Sequence, residues 1–542
     1  MVITRQWLLK LFASAVTGWG FGATSANMPP FDITGVEGGG QSLSLGNAAI
    51  IVDAGSIYGN LAINDDAGES AGFQNPASPS LYFESNRVNP IRATGPGGGT
   101  VYTYPTNIEG DTGLARFQDQ LTVIAKAAGW PGYLTVQDST GESGTPLSGL
   151  DVGTIPFDAG AFSADAIHRV AARAGKTAGV GLIVWIHGEA DAAAHNFAYG
   201  SQLVTFRTNW ETAMALRTGQ DVTKRPIRLY LTGEGTAPYA GIGQSIANAF
   251  WIAATSDPRI VYVGPRYQYD ALYAGDGVHM TDYKPLNELY AKAYFAQEQG
   301  KTWQPVWPTA FSRASNVVTL TFNMPVGPLV FDAAGKTMHA SDSYSTYWAN
   351  GWGFEALDQR LPGTPSAIAN NGSGLVRVTW ANHGRATNDV VFIENIFNAT
   401  FVPSYQGTWT ITKIDANTFD LQGSTFVAGT YVTGFGAAYL PLTITTNPTI
   451  AGNQVMLTLN RPPVGNTLEI AYAHRAGGIG ASAPTGGWHS GLGRGGALRD
   501  SDPFVGLSGF ANPNWAIEFN LCPSGASCAD DGYSVGSPVT TN

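Results

Sequence analysis

The sequence predicts a mixed fold: an α/β domain on a doubly wound parallel sheet, then an all-β region. Three observations carry that expectation. Short apolar runs of the kind found in buried strands recur between residues 180 and 264, with helical patterns among them. Past Trp303 the helical patterns stop, and short strand-like runs separated by Gly, Pro, Asn and Asp clusters take over. The chain has 542 residues, too many for one ordinary domain of ~100–200 residues.

Residues 1–32 read as a separate N-terminal segment. Arg5 and Lys10 precede residues 11–26, a mildly apolar stretch rich in Ala, Gly and Ser. That order matches a removable secretory signal. The alternative is a plain N-terminal segment of an assembled particle. Residues 4–10 also resemble a twin-arginine export signal in which Gln6 replaces the second Arg.

Residues 33–305 carry the α/β pattern. Runs at 180–186 (VGLIVWI), 228–231 and 260–264 end in Gly, His or Pro, as buried parallel strands do. Phe117, Leu121, Ile124 and Ala128 fall at i, i+4, i+7 and i+11, one face of a helix that Gly129 would stop. Leu203, Phe206, Trp210 and Met214 repeat the pattern. Such alternation implies a doubly wound α/β sheet with its site at the carboxyl ends of the strands.

The β texture begins near residue 309. Runs at 317–322, 375–380, 390–393, 409–414, 455–460 and 468–474 are apolar or alternate, with turn residues between them. They read as antiparallel β-sandwich material. Pro362 to Pro365 marks a boundary, so residues 362–440 are expected to form a small β module. It would be inserted into a discontinuous β-sandwich domain of residues 309–361 and 441–542. Residues 407–426 (GTWTITKIDANTFDLQGSTF) resemble a β module recurrent in phage tail and prophage proteins, and LRDSDP (498–503) with the stretch around Trp515 resembles the ends of phage-tail esterases.

Composition excludes several functions. Lys and Arg total 29 against 40 Asp and Glu, a net charge of −11. A nucleic-acid binder would need basic side chains to meet phosphates. The apolar runs fall short of the ~20 residues of a membrane helix. Charged residues are 13% of the chain, about half the ~25% usual in soluble proteins, while 14 Trp, 22 Tyr and 25 Phe supply large cores. Cys522 and Cys528 are the only cysteines, compatible with one local disulfide in an exported protein. No His pair lies near them, and no metal site is expected.

Three segments of the α/β half carry chemistry. Gly40-Gln41-Ser42 puts a serine on a tight turn after the first apolar stretch, with backbone N–H groups nearby. Gly275-Asp276-Gly277-Val278-His279 supplies an imidazole base and, three residues before it, a carboxylate to hold its tautomer. Trp185 to Asp191 (WIHGEAD) places His187 and Glu189 just beyond a buried strand, where an α/β enzyme keeps its side-chain donors. Each segment alone also fits a glycine loop, a solvated turn before a helix or a strand-terminal turn.

Their order, with Ser143-Gly144-Thr145-Pro146-Leu147 between the first two, resembles the SGNH-hydrolase superfamily. The specific likeness is to its sialate O-acetylesterase branch, including carbohydrate esterase family 6. In that branch the blocks read GQS, GGTPI, W-x-QGE-x-D and D-x-x-H. The likeness spans residues 36–297 and implies a serine O-acetylesterase acting on an acetylated polysaccharide or glycan without a cofactor. It implies Ser42, Asp276 and His279 as the catalytic set. The backbone N–H groups of Ser42 and Gly144, joined by His187, would form the oxyanion hole, with Gln41 and Glu189 as substrate contacts. His187 departs from the branch, which has Gln there; Leu43 stands where GQSN enzymes have Asn; Ser143 replaces a Gly.

The N-terminal signal pattern implies an extracellular enzyme, and the phage-tail likeness a virion tail component within a tail or homo-oligomeric assembly. Two other functions remain open. One is a non-catalytic glycan-binding or structural tail protein with a retired esterase domain; the other is a GDSL-type lipid or short-chain esterase. Two motif matches fail on context. Gly532 to Gly536 (GYSVG) around Ser534 has only six residues after it, too few for the helix and His that its elbow requires. Gly491 to Gly496 fits G-x-G-x-x-G but precedes no helix. His168, His195, His339, His383, His474 and His489 show no metal-ligand spacing.

Overall fold

The computed structural model describes residues 29–49, 58, 60–64, 80–83, 92–94, 101–103, 112–194, 196, 198–233, 246–272, 278–332, 350–394, 396–398, 405, 407–434, 436–465, 467–474 and 496–521. The signal segment, Asp276, both cysteines, Ser534 and residues 491–495 lie outside the described residues.

The α/β half is organised by a seven-stranded sheet. Its strands are β1 (Ile33–Gly40), β2 (Leu61–Asn64), β3 (Ser80–Phe83), β6 (Thr135–Ser139), β7 (Ala178–Ile186), β8 (Arg228–Thr232) and β9 (Ile260–Gly264). A separate hairpin, β4 (Arg92–Thr94) and β5 (Val101–Thr103), stands apart from it. The order is β3-β2-β6-β1-β7-β8-β9, parallel throughout except for β3 against β2.

Helices cover both faces, as a sheet buried on both sides requires. On one face α1 (Leu114–Ala127) packs against α6 (Lys284–Glu298), meeting Leu182, Val184 and Ile186 of β7. On the other, α2 (Ile155–Arg173), α4 (Tyr199–Thr218) and α5 (Ala247–Ser256) meet Ile183 and Trp185. Alternate residues of one strand thus feed two cores. The expected helical faces are the buried ones: Phe117, Leu121 and Ile124 on α1, and Leu203, Phe206, Trp210 and Met214 on α4. A one-turn helix, α3 (Glu189–Ala193), follows β7 directly.

The strand order reverses at β1. From β6 on one side of it the chain crosses to β7 on the other, then runs outward through β8 and β9. Loops leaving the carboxyl ends of β1 and β7 therefore bound a crevice, where open α/β sheets place their ligands.

Beyond residue 306 all regular structure among the described residues is β. Pro308–Ala314, Val317–Phe322, Gln454–Thr458 and Thr449–Ala451 form a four-stranded antiparallel sheet. A nine-stranded sheet runs from Ala367–Asn370 at one edge to Phe519–Leu521 at the other. Residues around the expected insertion have their own apolar core, including Val376, Val378, Trp380, Ile393, Ile411 and Phe419. Their strands nevertheless continue the larger sheet, because Ala437–Leu442 pairs with both Val390–Glu394 and Phe354–Asp358. The core also ignores the junction near residue 305. Val318, Leu320, Phe354 and Tyr472 belong to the same apolar cluster as Trp185, Phe206 and Phe250.

One buried feature opposes the apolar logic. Glu37 on β1 and Asp138 on β6 are directly paired across the strands, and neither is more than 1% exposed. Among the described residues no basic side chain forms an ion pair with either. Burial, then mutual repulsion, pushes Glu37 well above the usual carboxylate range, and burial raises Asp138 to about 6. Acids raised in the folded state stabilise it while protonated, and that contribution is lost as pH rises through the folded values. The melting temperature should therefore fall as pH rises from about 4.5 through 6 and beyond. Glu37→Gln should flatten that fall. Thermal melts at a series of pH values test this, and parallel profiles for the two proteins would refute it.

Candidate active site

Ser42 opens a 3-10 turn, Ser42–Leu45, directly after β1 and Gln41. The approach to it requires glycine. Gly40 has φ +133, and a Cβ there would lie 2.1 Å from the Ile186 carbonyl oxygen. The backbones of β1 and β7 thus close on each other just before the Ser42 turn, where Gln41 N donates to Ile186 O at 3.3 Å. Ser44 Oγ donates to Gln41 O at 2.7 Å, and Ser139 Oγ donates to Ser44 O at 3.1 Å, which fastens the turn to the end of β6.

His279 reaches this turn from the loop before α6. Its Nε2 lies 2.8 Å from Ser42 Oγ. Ser42 is 7% exposed and His279 is half-buried, so the pair is sheltered but open to a ligand. Tyr283, on the residue before α6, ties the two loops together. Its hydroxyl accepts from Met280 N at 3.1 Å and donates to Asn47 O at 3.0 Å, while Asn47 N donates to Ser42 O at 3.1 Å.

Gly144, at φ +67, lies on the loop after β6. Glu142 N donates to Gly40 O at 3.0 Å, which brings this loop beside the serine turn. Among the described residues, neither Ser42 N nor Gly144 N donates to a protein acceptor.

His187, expected to join the oxyanion hole, lies between Tyr199 and Thr145. It is fully buried, and both ring nitrogens have partners in the protein. Nε2 lies 2.9 Å from Thr145 O, which can only accept, so Nε2 carries the hydrogen. Nδ1, 2.7 Å from the Tyr199 hydroxyl, then accepts from it, while that hydroxyl accepts from Trp185 Nε1 at 3.2 Å. Burial lowers the His187 pKa, with Asp191 pulling the other way, and the neutral ring satisfies every contact. His187 is thereby a strut for the loop bearing Gly144, and a bond to an oxyanion would cost it the Thr145 bond.

Gln41 and Glu189, expected as substrate contacts, meet each other. Gln41 Nε2 donates to Glu189 Oε2 at 2.8 Å, and Gln41 Oε1 accepts from Ala190 N at 3.1 Å. The other Glu189 oxygen pairs with Arg266, whose Nε donates to Gly233 O at 2.6 Å. All three side chains are at most 3% exposed. Gln41 and Glu189 are thus held by each other, by Ala190 N and by Arg266.

Arg266, Tyr199 and Tyr283 escaped the sequence reading. Arg266 carried a signal: a cation two residues past the Gly264 strand end, in a segment otherwise apolar and aromatic. The two tyrosines carried none, since their roles depend on partners elsewhere in the chain. Among the described residues no group of three His, Cys, Asp or Glu side chains is placed to hold a metal. No described helix is long and apolar enough to cross a membrane.

No protein-family model matches the chain, and no curated protein does. Among solved structures, a carbohydrate acetylesterase from Xanthomonas citri aligns at 12% identity over 90% of this chain and 80% of its own, with a TM-score of 0.42. NanS aligns at 9% identity over 51% of this chain and all of its own, with a TM-score of 0.35. A protein from Arabidopsis thaliana aligns at 12% identity over 48% of this chain and 98% of its own, with a TM-score of 0.32. Similarity this low carries no chemistry across.

Removing the His187 ring should leave the Tyr199 hydroxyl and the Thr145 carbonyl short of a partner and open a cavity. His187→Ala should cost about 2–4 kcal/mol. His187→Gln can keep the donation to Thr145 and should cost clearly less. Urea unfolding of the three proteins checks the order, and equal losses for Gln and Ala would count against the strut.

Proposed function

We propose that the chain is a serine esterase that removes O-acetyl groups from a polysaccharide or glycan through an acetyl-enzyme. The observation that carries this reading is the 2.8 Å approach of His279 Nε2 to Ser42 Oγ, made by residues 237 apart in sequence. A serine hydroxyl against an imidazole, on loops at the carboxyl edge of a parallel sheet, is the arrangement an activated nucleophile needs. His279 takes the hydroxyl proton as Ser42 attacks the acetyl carbonyl, then returns it to the departing sugar oxygen. A water activated by the same imidazole releases acetate. Asp276 is assigned the role of orienting His279 from its spacing in the D-x-x-H block. The N–H groups of Ser42 and Gly144 are assigned to the oxyanion, since neither donates to an acceptor among the described residues.

The carbohydrate part of this reading is supported by the four sequence blocks. It places the reaction in residues 33–305 and leaves the aromatic β region for sugar contact or assembly, outside the cell or on a virion tail.

Acetate release from acetylated xylan or a bacterial polysaccharide, together with fluorophosphonate labelling, tests the assignment. Ser42→Ala should abolish labelling and lower the rate by roughly 10⁴–10⁶-fold, with His279→Ala close behind. Circular dichroism should remain that of the parent, because Ser42 sits on a loop. An active, labelled Ser42→Ala would overturn the proposal, and a preference for long-chain over acetyl esters would move the substrate class to lipids.

A further inference from the structure

The LRDSDP stretch and the aromatic residues after it have no part in the chemistry above, yet the structure sets them against the catalytic loop. Residues 500–514 form a tightly bonded strap. The Asp500 carboxylate accepts from Asp502 N at 3.1 Å, Asn514 N at 3.0 Å, Asn514 Nδ2 at 2.6 Å and Val326 N at 3.0 Å. Asp502 Oδ2 lies 2.8 Å from Lys292 Nζ on α6, with both side chains at most 2% exposed. The same ammonium donates to Asn512 O at 3.0 Å and Asn514 Oδ1 at 2.9 Å. The strap is anchored before it meets anything catalytic.

What it then meets is the chain on both sides of His279. Asn512 is 1% exposed, and its amide makes two bonds. Oδ1 accepts from the Tyr269 hydroxyl at 2.9 Å, ten residues before His279; Nδ2 donates to Pro285 O at 2.7 Å, six residues after it. The Phe510 ring packs on Tyr269 at 5.5 Å between centroids. Two residues upstream, the Tyr267 hydroxyl donates to Ala516 O at 2.5 Å. A single side chain from the far end of the sequence thus joins the entry and exit of the loop that carries the imidazole. Tyr283 holds that loop to the serine turn from the other side.

We propose that residues 500–514 brace the His279 loop, with Asn512 as the positioning residue that keeps the imidazole aligned on Ser42. The catalytic half of this statement rests on the esterase reading; the mechanical half does not. The brace makes the C-terminal β segment part of the active site's support, so that residues 33–305 alone would hold the imidazole loosely. Misplacing a catalytic group by about 1 Å can cost ~10²-fold in rate.

The test compares the full-length parent with Asn512→Ala, Tyr269→Phe, their double variant and, as a control, Ser508→Ala. Ser508 is on the same strap but bonds Glu288 rather than the loop. Hydrogen exchange should rise in peptides carrying residues 267–272 and 278–285 of Asn512→Ala, with β1 and β7 unchanged. Ser508→Ala should leave those peptides as in the parent. On an acetyl ester, Asn512→Ala should lose about 10–100-fold in kcat with KM within about twofold. The Tyr269→Phe and Asn512→Ala losses should be non-additive, as expected for partners in one bond. Exchange that is unchanged, or raised evenly across the protein, would overturn the brace; so would additive losses. A parent without esterase activity would refute the Ser42 reading, and the exchange comparison would still decide the brace.

Discussion

Arg266 is a cation with no exposed surface, and the arrangement of the site follows from how its charge is met. A buried guanidinium must have a carboxylate and further acceptors, since removing one partner of such a pair typically costs about 3–5 kcal/mol. Glu189 supplies the charge and Gly233 a carbonyl. Glu189 in turn takes the amide of Gln41, the residue before Ser42. One ion pair thereby gathers the carboxyl ends of β1, β7, β8 and β9. Four loops that would each be free to wander share one electrostatic centre, and the serine turn is held by it.

That centre also fixes the conspicuous polar residues near the serine. Gln41, His187 and Glu189 all sit beside it in sequence or space, and each is hydrogen-bonded within the protein. At the serine turn, among the described residues, the Ser42 hydroxyl faces an imidazole, and the N–H groups of Ser42 and Gly144 donate to no protein acceptor. The division is physically economical. Buried polar groups with complete partners are rigid, and rigidity in the supporting layer lets a small reactive set keep its geometry.

Much of this was readable in the amino-acid order where the determinants were local. The 180–186 run lies within β7, the 317–322 run coincides with its strand, and the α1 and α4 faces are the buried ones, because period and apolarity alone decide them. Ser42 and His279 stood out in the GQS and D-x-x-H blocks because a short loop carries each of them beside its glycines, and the fold brings the two side chains within 2.8 Å. The roles of His187, Gln41 and Glu189 were not legible. Residue type announces that a group can donate or accept, but whether its capacity is already used depends on partners as far away as Arg266 or Tyr199. The sheet shared by the small β module and the larger one was hidden likewise, since turn residues at 362–365 mark a local break and say nothing about pairing across it.

The long-range anchoring of the C-terminus follows from the same limitation. Lys292 on α6 looks, by sequence, like one more helix cation with a solvated end. It is buried, and its three N–H bonds run to Asp502, Asn512 and Asn514, more than two hundred residues later. An ammonium taken from water must recover its hydrogen bonds, so each of those acceptors has to be delivered to within about 3 Å. Only a strap with its own internal bonding can deliver three at once without a large ordering cost, and Asp500 supplies that bonding. The β region is therefore not an appendage to the α/β half. It supplies counter-charge and acceptors to a helix whose preceding loop carries His279, and on the opposite face of the sheet its strands share an apolar core with α4 and α5.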